Sequence, residues 1–220
     1  HTYPSIEMDI EMMPKYQQGS GRYAHYVQAN KKNNAKFYYD PTEFNNENFA
    51  SAELVSVHEG YPGHHMQIAL VQNQEEFHPI ESVFTNAAFD EGWARYAEAL
   101  SEEAEIYQYD ATKILRRAWP ARGMVADTGL HMLEWTNEET AAYLIESGAP
   151  HTKDIDALLD RIAALPAQLT AYDSGAIEIF ALRKLMKKKR GKNFNIKDFH
   201  QVILRNGNVP IPFLNQYIVD

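Results

Sequence analysis

The chain has 220 residues, 45% hydrophobic and 23% charged, and carries a formal charge of −9 at pH 7 with no cysteine. An acidic surface of this kind repels nucleic acid and anionic lipid at long range, so neither is expected as a general partner. Without thiols there are no disulfides, no cysteine nucleophile and no zinc-thiolate site, and any metal must be held by His, Asp or Glu.

The apolar content suffices for one sizeable core, and no run reaches the roughly 18 apolar residues that a membrane span needs. The chain opens at His1 without a charged, apolar and small leader pattern, so a processed or excised piece of a longer protein is expected. From Tyr3 to about Asn34 the pattern is irregular and rich in aromatics, and Lys36-Phe37-Tyr38-Tyr39 then reads as a short strand stopped by Asp40-Pro41. Helical spacing follows over residues 50–74, where Leu54, Val57, Tyr61, His65, Ile68 and Val71 recur on one face. Gly60, Pro62 and Gly63 interrupt that run, and the missing N–H of Pro62 predicts a bulge or kink. Further helices are predicted over residues 80–107, 111–135 (strained at Pro120), 138–147, 153–165, 171–189 and 196–205, with Gly148 and Gly191 as stops. The basic run from Lys184 to Lys192 suits a solvated helix C-terminus. One mainly α-helical domain over residues 1–220, with a small strand element near residues 36–39, is the expected architecture.

Chemistry concentrates in Val57-His58-Glu59-Gly60-Tyr61-Pro62-Gly63-His64-His65-Met66-Gln67. A zinc-binding helix usually reads H-E-x-x-H, because residues four apart share one face and two imidazoles can then hold one ion. Here proline stands where the second histidine belongs. With two residues inserted, His58 and His64 become the pair, and the glycines and proline supply the local unwinding. His65 is the other candidate; it returns to the same face, but two turns separate it from His58 by roughly 10 Å, and His64 is preferred. Glu59 points past the metal in such a motif and takes the general-base position. A third ligand must come from elsewhere. Phe89-Asp90-Glu91-Gly92-Trp93-Ala94-Arg95-Tyr96-Ala97-Glu98 offers Glu91, with Asp90 or Glu98 to orient the imidazoles from behind. The bland alternative, polar residues merely satisfied at a helix contact, fits one histidine better than this cluster.

His58 to Gln67, as H-E-G-Y-P-G-H-H-M-Q, resembles the signature of the domain of unknown function 885 family, bacterial proteins described as lipoproteins and grouped with metallopeptidases. Glu91-Gly92-Trp93-Ala94 through Tyr96-Ala97-Glu98, Asp127-Thr128-Gly129-Leu130-His131 with Trp135, and Phe199-His200 through Leu204, Gly207 and Pro210 agree with it in order. The resemblance implies the C-terminal, catalytic part of a longer protein, a zincin-like helical fold and an extracytoplasmic, periplasmic or lipid-anchored address. The Gly63-His64 step is similar to the glycine-histidine pair closing the zinc motif of angiotensin-converting enzyme, thimet oligopeptidase and carboxypeptidase Taq. That likeness implies a gluzincin-type role for Glu91 and an edge strand at Lys36 to Tyr39 along which a peptide lies. Tyr172 falls where the family segment P-G-Q-A-L-S-Y ends, here Pro166-Ala167-Gln168-Leu169-Thr170-Ala171-Tyr172, and is expected to donate to an oxyanion. Asp127 and His131, four apart, are suited to grip a substrate carbonyl or equally to brace a helix. Arg117, Arg122 and Arg183 are candidate carboxylate binders that more commonly make surface pairs.

The expected function is hydrolysis of a peptide bond on a single zinc ion held by His58, His64 and Glu91, with Glu59 as base and Tyr172 or His131 steadying the oxyanion. Two competitors remain: a binding protein that keeps a metal for stability, and a di-iron oxidase in a helical bundle. The last wants a Glu-x-x-His pair on each of two helices, and only Glu75-Glu76-Phe77-His78 has that spacing.

Overall fold

Helix is what the chain's periodicity favours, and it dominates the computed structural model, which describes residues 4–19, 22–44, 49–73, 86–148, 155–206 and 209–219. Three strands precede the helices: β1 (Met8–Met12), β2 (Ala24–Val27) and β3 (Ala35–Tyr39). They form one sheet in the order β1-β3-β2, with β1 parallel to β3 and β2 antiparallel to it. Along β3, Ala35 and Phe37 turn into the core while Lys36 and Tyr38 face outward beside Glu11 and His25, as the period of two requires. The expected strand is therefore real but not at an edge. Both of its sides are already hydrogen-bonded, so no peptide can pair with it; β1 and β2 are the edge strands instead. The two flanking strands fall in the stretch that reads as irregular, although Met8-Asp9-Ile10-Glu11-Met12 does alternate.

The run over residues 50–74 is not one kinked helix but two: α1 (Phe49–Glu59) and α2 (His64–Gln72). Pro62 has no N–H to continue the ladder, and the chain turns through Gly60 to Gly63 with Gly63 donating back to the Val57 carbonyl at 3.1 Å. Only glycine fits there, since a Cβ on residue 63 would lie 1.8 Å from the His58 carbonyl oxygen. α3 (Ala87–Glu103) opens on an Asn86 cap whose side chain accepts from the Phe89 N–H. α4 (Asp110–Met132) runs unbroken through the buried Pro120, and α5 (Asn137–Glu146) begins with a capping box between Thr136 and Glu139. α6 (Ile155–Ala164), α7 (Gln168–Arg190), α8 (Ile196–Arg205) and α9 (Asn215–Val219) complete the described helices. Gly148 and Gly191 take positive φ and stop α5 and α7, as expected.

α3 and α7 form the central pair. They approach closely because Gly92 faces Gly175; a Cβ on Gly175 would lie 1.8 Å from the Ala88 carbonyl oxygen. Around them Phe89, Trp93, Tyr96, Ile179, Leu182 and Phe199 make the main core, each buried side chain contributing about 1.5–3 kcal/mol. A second cluster, containing Ala126, Leu144, Ile162, Leu169 and Tyr172, joins α4, α5 and α6 to α7.

Candidate metal centre

Three of the expected residues meet between α1, α2 and α3. His58 is the penultimate residue of α1, His64 is the first residue of α2, and Glu91 lies one turn into α3. Their candidate ligand atoms all fall within 4.8 Å of one another. Nε2 of His58 and Nε2 of His64 lie 3.3 and 3.4 Å from Glu91 Oε2, and the three side chains are 13%, 12% and 15% exposed. The break at Pro62 makes this possible: two imidazoles six residues apart arrive from separate helices, at right angles and 4.8 Å between ring centres. Trp93, two residues after Glu91, donates its indole N–H to the Pro62 carbonyl at 3.0 Å and ties the turn to α3.

The outer faces of both imidazoles are held by acceptors. His58 Nδ1 donates to Glu98 Oε1 at 2.8 Å, and Glu98 is itself paired with Arg95, which also bonds Asp173 at 2.9 Å. His64 Nδ1 donates to Gln67 Oε1 at 3.4 Å, while the Gln67 amide nitrogen bonds Asp90 and so fixes which way the amide points. With protons on both Nδ1 atoms, the two Nε2 lone pairs face inward. Glu91 Oε1 accepts from Gln168 at 2.9 Å, whereas Oε2 is buried with no hydrogen-bond partner. Three unprotonated acceptors thus converge, an arrangement that is repulsive unless a cation or a proton lies among them.

The donors suit zinc. Two neutral imidazoles and a carboxylate oxygen are a recurrent set, and ligands at roughly 2.0–2.1 Å in a tetrahedron stand roughly 3.3–3.4 Å apart, which matches both nitrogen-to-oxygen separations here. A proton is the competitor. Burial alone works against charge on His64, but Glu91 outweighs it and holds the His64 pKa above the ordinary value. Burial likewise opposes ionisation of Glu91, yet the two imidazoles hold it well below the usual carboxylate range.

Glu59 follows His58 but takes no part in the cluster. No hydrogen bond or ion pair engages it among the described residues, and its charge is felt at His64, Tyr172 and His25. Tyr172 stacks on His58 at 5.9 Å and meets the edge of Trp119 at 5.6 Å. Burial and then the Glu91 carboxylate push its pKa up, so it remains a phenol and a donor at neutral pH. His65 goes the other way: it is 1% exposed, shares a 3.2 Å hydrogen bond with Tyr26 of β2 and lies edge-on to Tyr61. His131 hydrogen-bonds the Ile162 carbonyl at 3.0 Å and lies 3.7 Å from Asp127, which places it at the end of α6 with no contact to the three clustered residues. Asp127 accepts from the Ala167 and Thr170 N–H groups at 3.0 Å each and caps α7 from another helix. That cap holds Ala167 at φ 65°, where the related segment has glycine, and sets the start of the helix carrying Gln168 and Tyr172. Arg117 and Arg183 pair with Glu102 and Glu103, and Glu75-Glu76-Phe77-His78 lies outside the described residues. Gln67, Gln168 and Arg95 escape the sequence reading; no local spacing marks a glutamine whose partner is 77 positions away.

No curated protein matches the chain. Solved structures do, among them two bacterial proteins. The "putative lipoprotein" of Colwellia psychrerythraea is 29% identical with a TM-score of 0.90, over 99% of this chain and 38% of that one. A "putative lipoprotein of unknown function" from Shewanella oneidensis is 23% identical with a TM-score of 0.80, over 100% of this chain and 42% of that one, and speaks for the fold alone. The chain therefore spans well under half the length of these relatives. The His-Glu signature, the turn it encloses and the Glu91-Gly92-Trp93 step that fastens that turn belong to one continuous pattern, and residues 1–218 match it throughout: the chain is a member of the DUF885 family of bacterial proteins of unknown function.

Proposed function

We propose that this chain is the catalytic part of a zinc-dependent peptidase. The observation that carries the reading is the convergence of His58 Nε2, His64 Nε2 and an otherwise unpartnered Glu91 Oε2, with both Nδ1 atoms fastened from behind. His58, His64 and Glu91 would hold a zinc ion there, which would supply Lewis acidity and lower the pKa of bound water towards about 7. Glu59 takes a proton from the attacking water as its oxygen adds to the peptide carbonyl carbon. It then delivers that proton to the amide nitrogen as the C–N bond breaks, leaving a carboxylic acid and an amine. Tyr172, kept as a phenol beside His58, donates to the oxygen on which negative charge develops. An extended substrate has the edge of β2 to lie on. The Tyr23 carbonyl accepts from the Asp40 N–H, just past the end of β3, at 2.9 Å, so by alternation Ala24 and Tyr26 turn their backbone groups away from β3. The lipoprotein description of the relatives suggests an extracytoplasmic address. The test is Glu59→Gln on the metal-loaded protein with a peptide library: turnover is expected to fall by about 10² to 10⁴ with bound metal unchanged. Turnover that survives the substitution refutes the mechanism, and a metal that stays while no peptide is ever cut leaves a structural metal site.

A further inference from the structure

An open cleft of about 540 Å³ lies beside the metal cluster, between the first turn of α3, the face of α7 and the Pro210–Pro212 segment. Its volume is in the range of ligand-binding clefts. Gln168 belongs to both places: its side chain lines the cleft while its amide donates to Glu91. The space exists because the residues around it are small. α3 and α7 touch at Gly92 and Gly175, and beyond that point Ala88 and Ala171 leave the gap unfilled. Its polar walls are largely engaged, since Asn86 bonds the Val209 carbonyl at 3.0 Å and Ser174 the Thr170 carbonyl at 2.7 Å. The helix ends do not make it an anion site either, because Asp127 already accepts from the start of α7 and Asp90 lies in the first turn of α3. One charged group remains: the exposed carboxylate of Glu178, which has no hydrogen-bond or ion-pair partner among the described residues.

Resting on the peptidase reading above, we propose that this cleft is a substrate arm of the site, and that Glu178 selects a basic side chain on the peptide. The helix sets the distance. Ten residues of α7 separate Gln168 from Glu178, roughly 15 Å at 1.5 Å per residue. Two or three residues of extended peptide, at about 3.3 Å each, plus the roughly 6 Å stem of a lysine cover that span. The cleft therefore takes a peptide with lysine or arginine two or three positions from the bond that is cut, its aliphatic stem against alanine and proline and its cation at Glu178.

Capped, otherwise uncharged hexapeptides with lysine moved one position at a time test this, beside the same series carrying norleucine. Binding is read by calorimetry on the 220-residue chain freed of metal by chelator, and turnover is run in parallel on the zinc-loaded protein. Lysine is expected to bind about fivefold tighter than norleucine at one or two adjacent positions. Glu178→Gln removes that preference without changing norleucine binding, and Glu178→Lys transfers it to glutamate peptides. Equal binding of both series at every position, no binding of either, or a preference that persists in Glu178→Gln overturns the subsite even if peptides are cut. A Glu178-dependent preference without turnover upholds the cleft and overturns the peptidase reading instead.

Discussion

His64 and His65 are neighbours with the same side chain and opposite uses. His64 turns its Nε2 towards Glu91, whereas His65 is buried against Tyr26 and Tyr61 and pins the sheet to α2. Metal content and stability should therefore separate them. His64→Ala is expected to lose the metal but leave the stability of the metal-free protein nearly unchanged, and His65→Ala to keep the metal while lowering metal-free stability by about 1–3 kcal/mol through an orphaned hydroxyl and a cavity. Metal analysis beside urea unfolding reads both, and metal lost only with His65 reverses the assignment. A third histidine gives a pH signature. His200 shares a 2.8 Å hydrogen bond with the Tyr96 hydroxyl, and burial and then the nearby Arg183 push its pKa down to about 4. Below about pH 6.5 the unfolded chain protonates this residue and the folded one does not, so stability is complete above that pH and declines as pH falls towards 4. The loss attributable to His200 is about 3 kcal/mol. Unfolding midpoints measured across that window should fall less steeply in His200→Gln.

Among the elements, α3 and α7 decide the geometry, because Glu91, Tyr172 and Gln168 all ride on this pair. Their spacing depends on backbone meeting backbone at Gly92, Gly175 and Ala88. Gly175→Ala is expected to destabilise the protein by about 1–3 kcal/mol, with no flexible side chain available to move aside. It should also weaken metal binding, because pushing α7 outward withdraws Gln168 from Glu91. Chemical denaturation and chelator competition measure the two effects, and an unchanged midpoint would contradict the close approach. The α1–α2 pair works differently. A continuous H-E-x-x-H helix presents both imidazoles from one face, whereas here the chain breaks and re-enters helix at His64, so the relative position of the imidazoles rests on the turn and on the Trp93 hydrogen bond that secures it.

Across the whole molecule, the cluster joins three helices that are otherwise held by apolar packing and a few hydrogen bonds such as His58 to Glu98 and Gln67 to Asp90, so occupancy should report on global stability. A metal at a hundredfold excess over its dissociation constant adds about 2.7 kcal/mol. In a chain of this size that is about 5–10 °C in Tm. Chelation should lower Tm by that amount in the parent and leave Glu91→Gln unmoved, and equal shifts in both would place the metal elsewhere. The relatives are more than twice as long as this chain.

Helix was legible wherever apolar residues recur at helical spacing, and α8 matches its expected bounds residue for residue. The grouping of His58, His64 and Glu91 was legible too, because metal chemistry restricts residue types and one pair of the three lies close in sequence. The resemblance of the Pro166 segment supplied Tyr172. What sequence could not supply is pairing at a distance. Whether Lys36 to Tyr39 is an edge or a centre depends on strands at residues 8–12 and 24–27 whose short patterns only become decisive when they hydrogen-bond to it. The same holds for His131, which has the right chemistry for an oxyanion and a carbonyl of α6 within reach. Spacing fixes which side chains share a helix face, but which helix they then meet is set by burial of the whole apolar surface, and that is a property of the assembled core.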